Sequence, residues 1–231
     1  MLHGWGANIG KLQPLSQKLR VLGWQVYIPK MPGFELPSPQ DFWGIIEYTS
    51  YILKKSSQVF NGQKFFVFGH SFGGRIAIKM AARYPRQLNG VILCSAGGIS
   101  RGYKIGRLFF YLLAKIGKTF LIFPPLALFW RKFLYKLARE HDYEKTKGVM
   151  REVFKKVVSE DFRSQVSLIK IPTLILWGKQ DKVTPVKDAF FIRGVLDNSK
   201  LQIFEDQGHR LPYEKPGEVA KEIEKWAKSL N

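Results

Sequence analysis

The chain has 231 residues, 45% hydrophobic and 24% charged, which is enough apolar material for a core and too much for a disordered tail. Its 37 Lys and Arg against 18 Asp and Glu leave a formal charge of +19, so an anionic partner must be weighed wherever that charge gathers. A single cysteine excludes an intramolecular disulfide framework and a multi-thiolate metal site, and makes the cytoplasm the default compartment.

No basic and apolar leader opens the sequence. The longest uncharged apolar stretch, residues 119–130, is broken by Pro124 and Pro125 and falls short of the roughly 20 residues a spanning helix needs. Apolar period and chain breakers predict a helix over 10–22, a strand over 24–28, a helix over 41–60 and a buried strand over 64–68. A glycine-rich turn follows, then a helix over 75–84 and a strand over 91–94. After Ile99 the alternation stops for about 65 residues that read as helical, basic and aromatic. Strands return over 173–177 and 200–204 with a helix over 187–195 between them, and a terminal helix over 216–230 places Val219, Ile223, Trp226 and Leu230 on one face. Alternating helix and strand predict an α/β fold with a mostly parallel sheet flanked by helices.

The turn Gly69-His70-Ser71-Phe72-Gly73 fits G-x-S-x-G with a strand before it and a helix after it. Such a turn strains the serine backbone and exposes its hydroxyl near a helix N-terminus, where developing negative charge is favoured. A serine alone is a poor nucleophile and needs a base with an orienting acid. His3 and His70 lie inside glycine turns, and His141 stands among Glu140 and Asp142, so His209 is the base candidate, in a loop just past the last strand. Asp181, at the end of the preceding strand, is the acid candidate, with Asp188 and Asp206 as competitors.

Together His3-Gly4-Trp5-Gly6, residues 69–74, Trp177-Gly178-Lys179-Gln180-Asp181 and Gly208-His209 resemble the α/β-hydrolase superfamily over almost the whole chain. Ser71, Asp181 and His209 stand in that family's nucleophile–acid–base order. The resemblance implies that Ser71 attacks an acyl carbonyl, His209 moves the proton and Asp181 holds the imidazole, with the backbone N–H groups of Trp5 and Phe72 as oxyanion hole. It implies a serine hydrolase of a carboxylic ester or thioester with an apolar acyl group, needing neither cofactor nor metal. A weak or inactive member that binds a small apolar ligand, a C–C bond hydrolase and a haloperoxidase-like enzyme are the alternatives.

In that superfamily the His-Gly loop follows a central strand, yet only Met1 and Leu2 precede His3, where a strand usually takes about five residues. The expectation is a chain lacking its first strands, or a short variant that fills the gap otherwise. Residues 99–165 occupy the place of a helical cap, dividing the hydrolase core into 1–98 and 166–231. Residues 99–139 hold nine Lys or Arg, no Asp or Glu and ten aromatics. As helices, one stripe would carry Lys104, Arg107, Lys115 and Lys118, and another Arg131, Lys132, Lys136 and Arg139. Such a face suits a solvated lid, or an anionic membrane surface or acidic acyl carrier, and allows a location at the inner membrane surface. No signature for nucleic-acid binding accompanies the charge.

Overall fold

A computed structural model describes residues 1–99 and 148–230. In chain order the described elements are α1 (Ile9–Val21), α2 (Ile45–Phe60), β1 (Phe65–His70), α3 (Phe72–Arg83), β2 (Leu88–Cys94), α4 (Val149–Ser159), α5 (Arg163–Val166), β3 (Thr173–Gly178), α6 (Lys187–Val195), β4 (Ser199–Phe204), α7 (Leu211–Glu214) and α8 (Pro216–Lys228). The four strands form one parallel sheet in the order β1-β2-β3-β4. Helices cover both faces, as the alternating pattern predicts.

The pleat sorts the strand residues. Leu174 and Leu176 of β3 join Leu12 and Leu15 of α1 and Val219, Ile223 and Trp226 of α8 on one face. Ile175 and Trp177 face the other way, towards Ile76 and Met80 of α3 and Ile192 of α6. All of these side chains are buried, and each contributes ~1.5–3 kcal/mol by leaving water. Strands covered on both faces read as continuous apolar runs, which is why they were visible in the sequence.

Several boundaries and one element differ from expectation; α3 and β2, for instance, each start three residues earlier than predicted, at Phe72 and Leu88. The helix expected from residue 41 starts at Ile45, because Gly44 takes the extended N-cap conformation and its N–H donates to the Glu47 carboxylate at 2.6 Å. The first helix starts at Ile9 because the Asn8 side chain accepts from the Lys11 N–H. The strand expected over 24–28 does not form: residues 24–30 carry no strand ladder. A strand needs a neighbour, and what lies between this segment and β1 is Met1 and Leu2. Leu2 makes a single parallel bridge to Gly69, donating to Phe68 O at 2.8 Å and accepting from His70 N at 3.0 Å. The Met1 amine donates to Tyr27 O at 2.7 Å, and its burial pulls its pKa down to about 5. An apolar groove lined by Leu19, Trp24, Val26, Phe60, Phe66 and Phe68 continues along this gap.

Of the expected cap, residues 100–147 lie outside the described residues, together with His141 and both basic stripes. Its described end, α4, buries Met150, Val153 and Val157 against the body. The chain that leaves α4 is held to α3: the Arg75 guanidinium donates to Val157 O at 2.8 Å and Glu160 O at 3.1 Å. Lys79 reaches the Glu160 carboxylate at 3.6 Å and lies over the Phe162 ring.

Candidate active site

Ser71 stands between the C-terminal end of β1 and the first residue of α3, with φ 51° and ψ −109°. An L-residue rarely adopts this conformation, which costs about 1–3 kcal/mol unless the surroundings enforce it. The surroundings do so by close approach. A Cβ on Gly69 would lie 2.3 Å from Gly73 O, and one on Gly73 would lie 2.4 Å from Leu2 O, so β1, α3 and the N-terminal segment meet where only glycine fits. The Ser71 N–H donates to Cys94 O at 3.3 Å and its carbonyl accepts from Gly97 N at 3.0 Å, tying the turn to the end of β2. Phe72 is the first helical residue after it, so its N–H has no acceptor within α3.

Asp181 lies in the turn after β3, and its side chain is wholly buried. One carboxylate oxygen accepts from the N–H groups of Val183 and Thr184, both at 2.8 Å. The other lies 2.8 Å from His209 Nδ1 and 2.9 Å from the Thr184 hydroxyl. Burial alone would raise the Asp181 pKa, but the His209 bond and charge and the Thr184 donors outweigh it and hold the carboxyl below its usual range. His209, in the loop after β4, therefore donates from Nδ1 and leaves Nε2 with a free lone pair. Ser71 and His209 are not hydrogen-bonded to one another, a separation common before substrate draws such groups together.

The structure thus joins Asp181 to His209 as the spacing suggested, and the rival aspartates lie elsewhere. Asp188 is in the first turn of α6, and Asp206 is exposed beside β4. Trp5 sits in the loop before α1, where its ring meets Phe34 at 5.1 Å, Phe72 at 5.2 Å and Phe154 of α4 at 4.9 Å. Beneath that loop, buried His3 points Nδ1 at Gly4 O, 2.8 Å away, and Nε2 at the Glu35 carboxylate, 3.1 Å away. Glu35 also accepts from Ile9 N and Met31 N. Its own burial raises its pKa, and the Met31 donor, His3 and the Ile9 donor together bring it below the usual carboxylate range.

Sequence reasoning missed Thr184, Glu35 and Tyr213, and set His70 aside. The Tyr213 hydroxyl lies 2.9 Å from His70 Nδ1 and 3.3 Å from Gly4 N, while His70 Nε2 lies 2.8 Å from His209 O. No spacing rule signals these contacts; Glu35 and Thr184 alone had a local hint, a polar side chain in a turn rich in unpaired N–H groups.

A parallel sheet covered on both faces, a strained serine after β1 and an Asp–His pair from the loops after β3 and β4 define an α/β hydrolase. A family model described as serine aminopeptidase, S33, matches residues 1–216, and the chain belongs to that family. It is 24% identical to Lipase 1 of Psychrobacter immobilis over 226 residues, covering 90% of this chain and 70% of that protein. It is 27% identical to monoacylglycerol lipase ABHD6 of Bos taurus over 183 residues, 70% of this chain and 54% of the relative. Among solved structures, a lipase-like protein (lip1) from Acinetobacter baumannii AYE superimposes with a TM-score of 0.71 at 23% identity, covering 99% of this chain and 82% of that one. At that identity the likeness speaks for the fold.

Proposed function

We propose that this protein is a serine hydrolase acting on a carboxylic ester or thioester with an apolar acyl group. The observation that carries the reading is the strained Ser71 turn lying beside a closed Asp181–His209 pair. Two relatives named as lipases support the ester class. The Trp5, Phe34, Phe72 and Phe154 rings next to the serine turn support an apolar acyl group.

The reaction follows from these positions. His209 Nε2 takes the Ser71 proton as Oγ bonds to the acyl carbon, and Asp181 steadies the imidazolium that forms. The carbonyl oxygen becomes an oxyanion, for which the N–H groups of Phe72 and Trp5 are the donors, each typically worth ~3–4 kcal/mol in serine hydrolases. Collapse breaks the bond to the leaving alcohol or thiol, which receives the proton from His209. Water, deprotonated by the same nitrogen, then attacks the acyl-serine, and the acid departs with Ser71 restored.

A fluorophosphonate probe tests this directly: the wild-type chain is labelled and Ser71→Ala is not, while ester turnover falls by about 10⁵–10⁶-fold. A folded wild-type protein that resists labelling overturns the enzyme reading in favour of an apolar-ligand binder. Labelling without turnover across a chain-length series of p-nitrophenyl esters turns the assignment to a C–C or haloperoxidase-like reaction.

A further inference from the structure

We infer that His70 and Tyr213 are positioning residues that lock the His209 loop, the serine turn and the Gly4–Trp5 loop into one arrangement. The inference rests on the hydrolase reading above and adds to it the device that sets its geometry.

Hydrogen-bond direction makes the case. His70 Nε2 lies 2.8 Å from a carbonyl, His209 O, so that nitrogen must carry the proton. Nδ1 is then an acceptor, and the Tyr213 hydroxyl 2.9 Å away must donate to it. The Tyr213 oxygen in turn accepts from Gly4 N–H at 3.3 Å. One unbroken chain therefore runs from Gly4 through Tyr213 and His70 to the backbone of His209, bridging residues separated by 209, 143 and 139 positions in sequence.

The parts also pack on one ring. The His70 imidazole lies 4.9 Å from the His209 ring and 4.9 Å from the Tyr213 ring. The Gly4 backbone passes so near that a Cβ there would sit 3.0 Å from His70 Nδ1 and 3.3 Å from Ser71 Cβ. Burial, followed by the nearby charge of His209, lowers the His70 pKa to about 3, and burial pushes Tyr213 up to about 12. Neither group changes charge across the working range, so the chain keeps its direction. His70 is only 2% exposed and directly precedes the serine, so a side chain there reaches a substrate only through the neighbours it aligns.

The test compares Tyr213→Phe, His70→Leu, His70→Gln and the Tyr213→Phe/His70→Leu double variant in the full chain. Three readouts are taken: the rate of Ser71 phosphonylation by a fluorophosphonate, the downfield proton resonance of His209 Nδ1–H, and the melting temperature. Misplacing reacting groups by about 1 Å costs on the order of 100-fold, so His70→Leu is expected to lose about that much in rate and Tyr213→Phe about tenfold. Both are expected to broaden the resonance. His70→Gln, whose amide N–H stands where Nε2–H stood, is expected to keep the rate within about threefold of wild type. The double variant is expected to be no slower than His70→Leu, as residues acting as one unit behave. Native rates with an intact resonance overturn the proposal, as do losses that follow melting temperature alone without rescue by glutamine. If His70→Leu fails to fold, Tyr213→Phe and His70→Gln carry the same decision. If the wild type is not phosphonylated, the hydrolase reading fails, and the resonance still decides whether these residues position His209.

Discussion

Glu35 holds the loop that carries Trp5 from below, through three different donors: Ile9 N, Met31 N and the His3 ring. Because its pKa is lowered on folding, its charged form stabilises the folded state. That contribution is complete above its ordinary value of 4.5 and is lost as the pH falls through the lower folded value. Glu35→Gln keeps the shape and removes the charge, so at pH 7 it is expected to cost about 1–2 kcal/mol, read from urea unfolding. The gap to wild type should narrow below pH 4.5, once the wild-type carboxyl is itself protonated. A gap of constant size from pH 7 to pH 3 would show that packing, and not the carboxylate, holds the loop. Asp181 follows the same sign, so its charge outlasts a fall in pH that would first protonate a free histidine.

Among elements, the joint between α3 and the segment leaving α4 rests on Arg75 and Lys79, whose apolar stems lie in a helix otherwise turned to the core. Arg75→Met keeps the stem and removes the donors to Val157 O and Glu160 O. It is expected to raise amide hydrogen exchange across 157–162 while leaving β1 to β4 protected; unchanged exchange there would show that burial of Phe162 suffices. This joint shows where sequence reading stops. Strands β1 to β3 were legible because their runs of Val, Ile, Leu and Phe lie where both faces are covered, and the meeting of Asp181 with His209 was legible because both lie just past the ends of neighbouring strands. The segment 24–28 has the composition of a strand but not the partner, and composition cannot report a partner. Tyr213, His70 and Arg75 act through contacts with residues more than 80 positions away, which no local pattern encodes.

For the molecule as a whole, charge is unevenly divided: +8 on residues 1–98, +9 on 99–165 and +2 on 166–231. We propose that the middle segment docks the protein on an anionic surface, from which an apolar substrate could reach Ser71. Flotation with acidic phospholipid vesicles at low salt is expected to carry the protein upward, and release it as salt screens the charge; absence from the floated fraction at low salt sets the membrane aside in favour of an acidic carrier. No helix among the described residues is long and apolar enough to cross a bilayer. Net charge also bears on the outer side of β1. This strand ends the sheet, is bridged there by Leu2 alone among the described residues, and opens onto an apolar groove. A strand margin left uncovered pairs readily with its counterpart on another molecule, and a net charge of +19 opposes that approach. For the chain of residues 1–231, light scattering is therefore expected to rise from low salt to about 0.5 M NaCl, where the screening length falls to a few ångströms, and a particle size independent of salt would count against it.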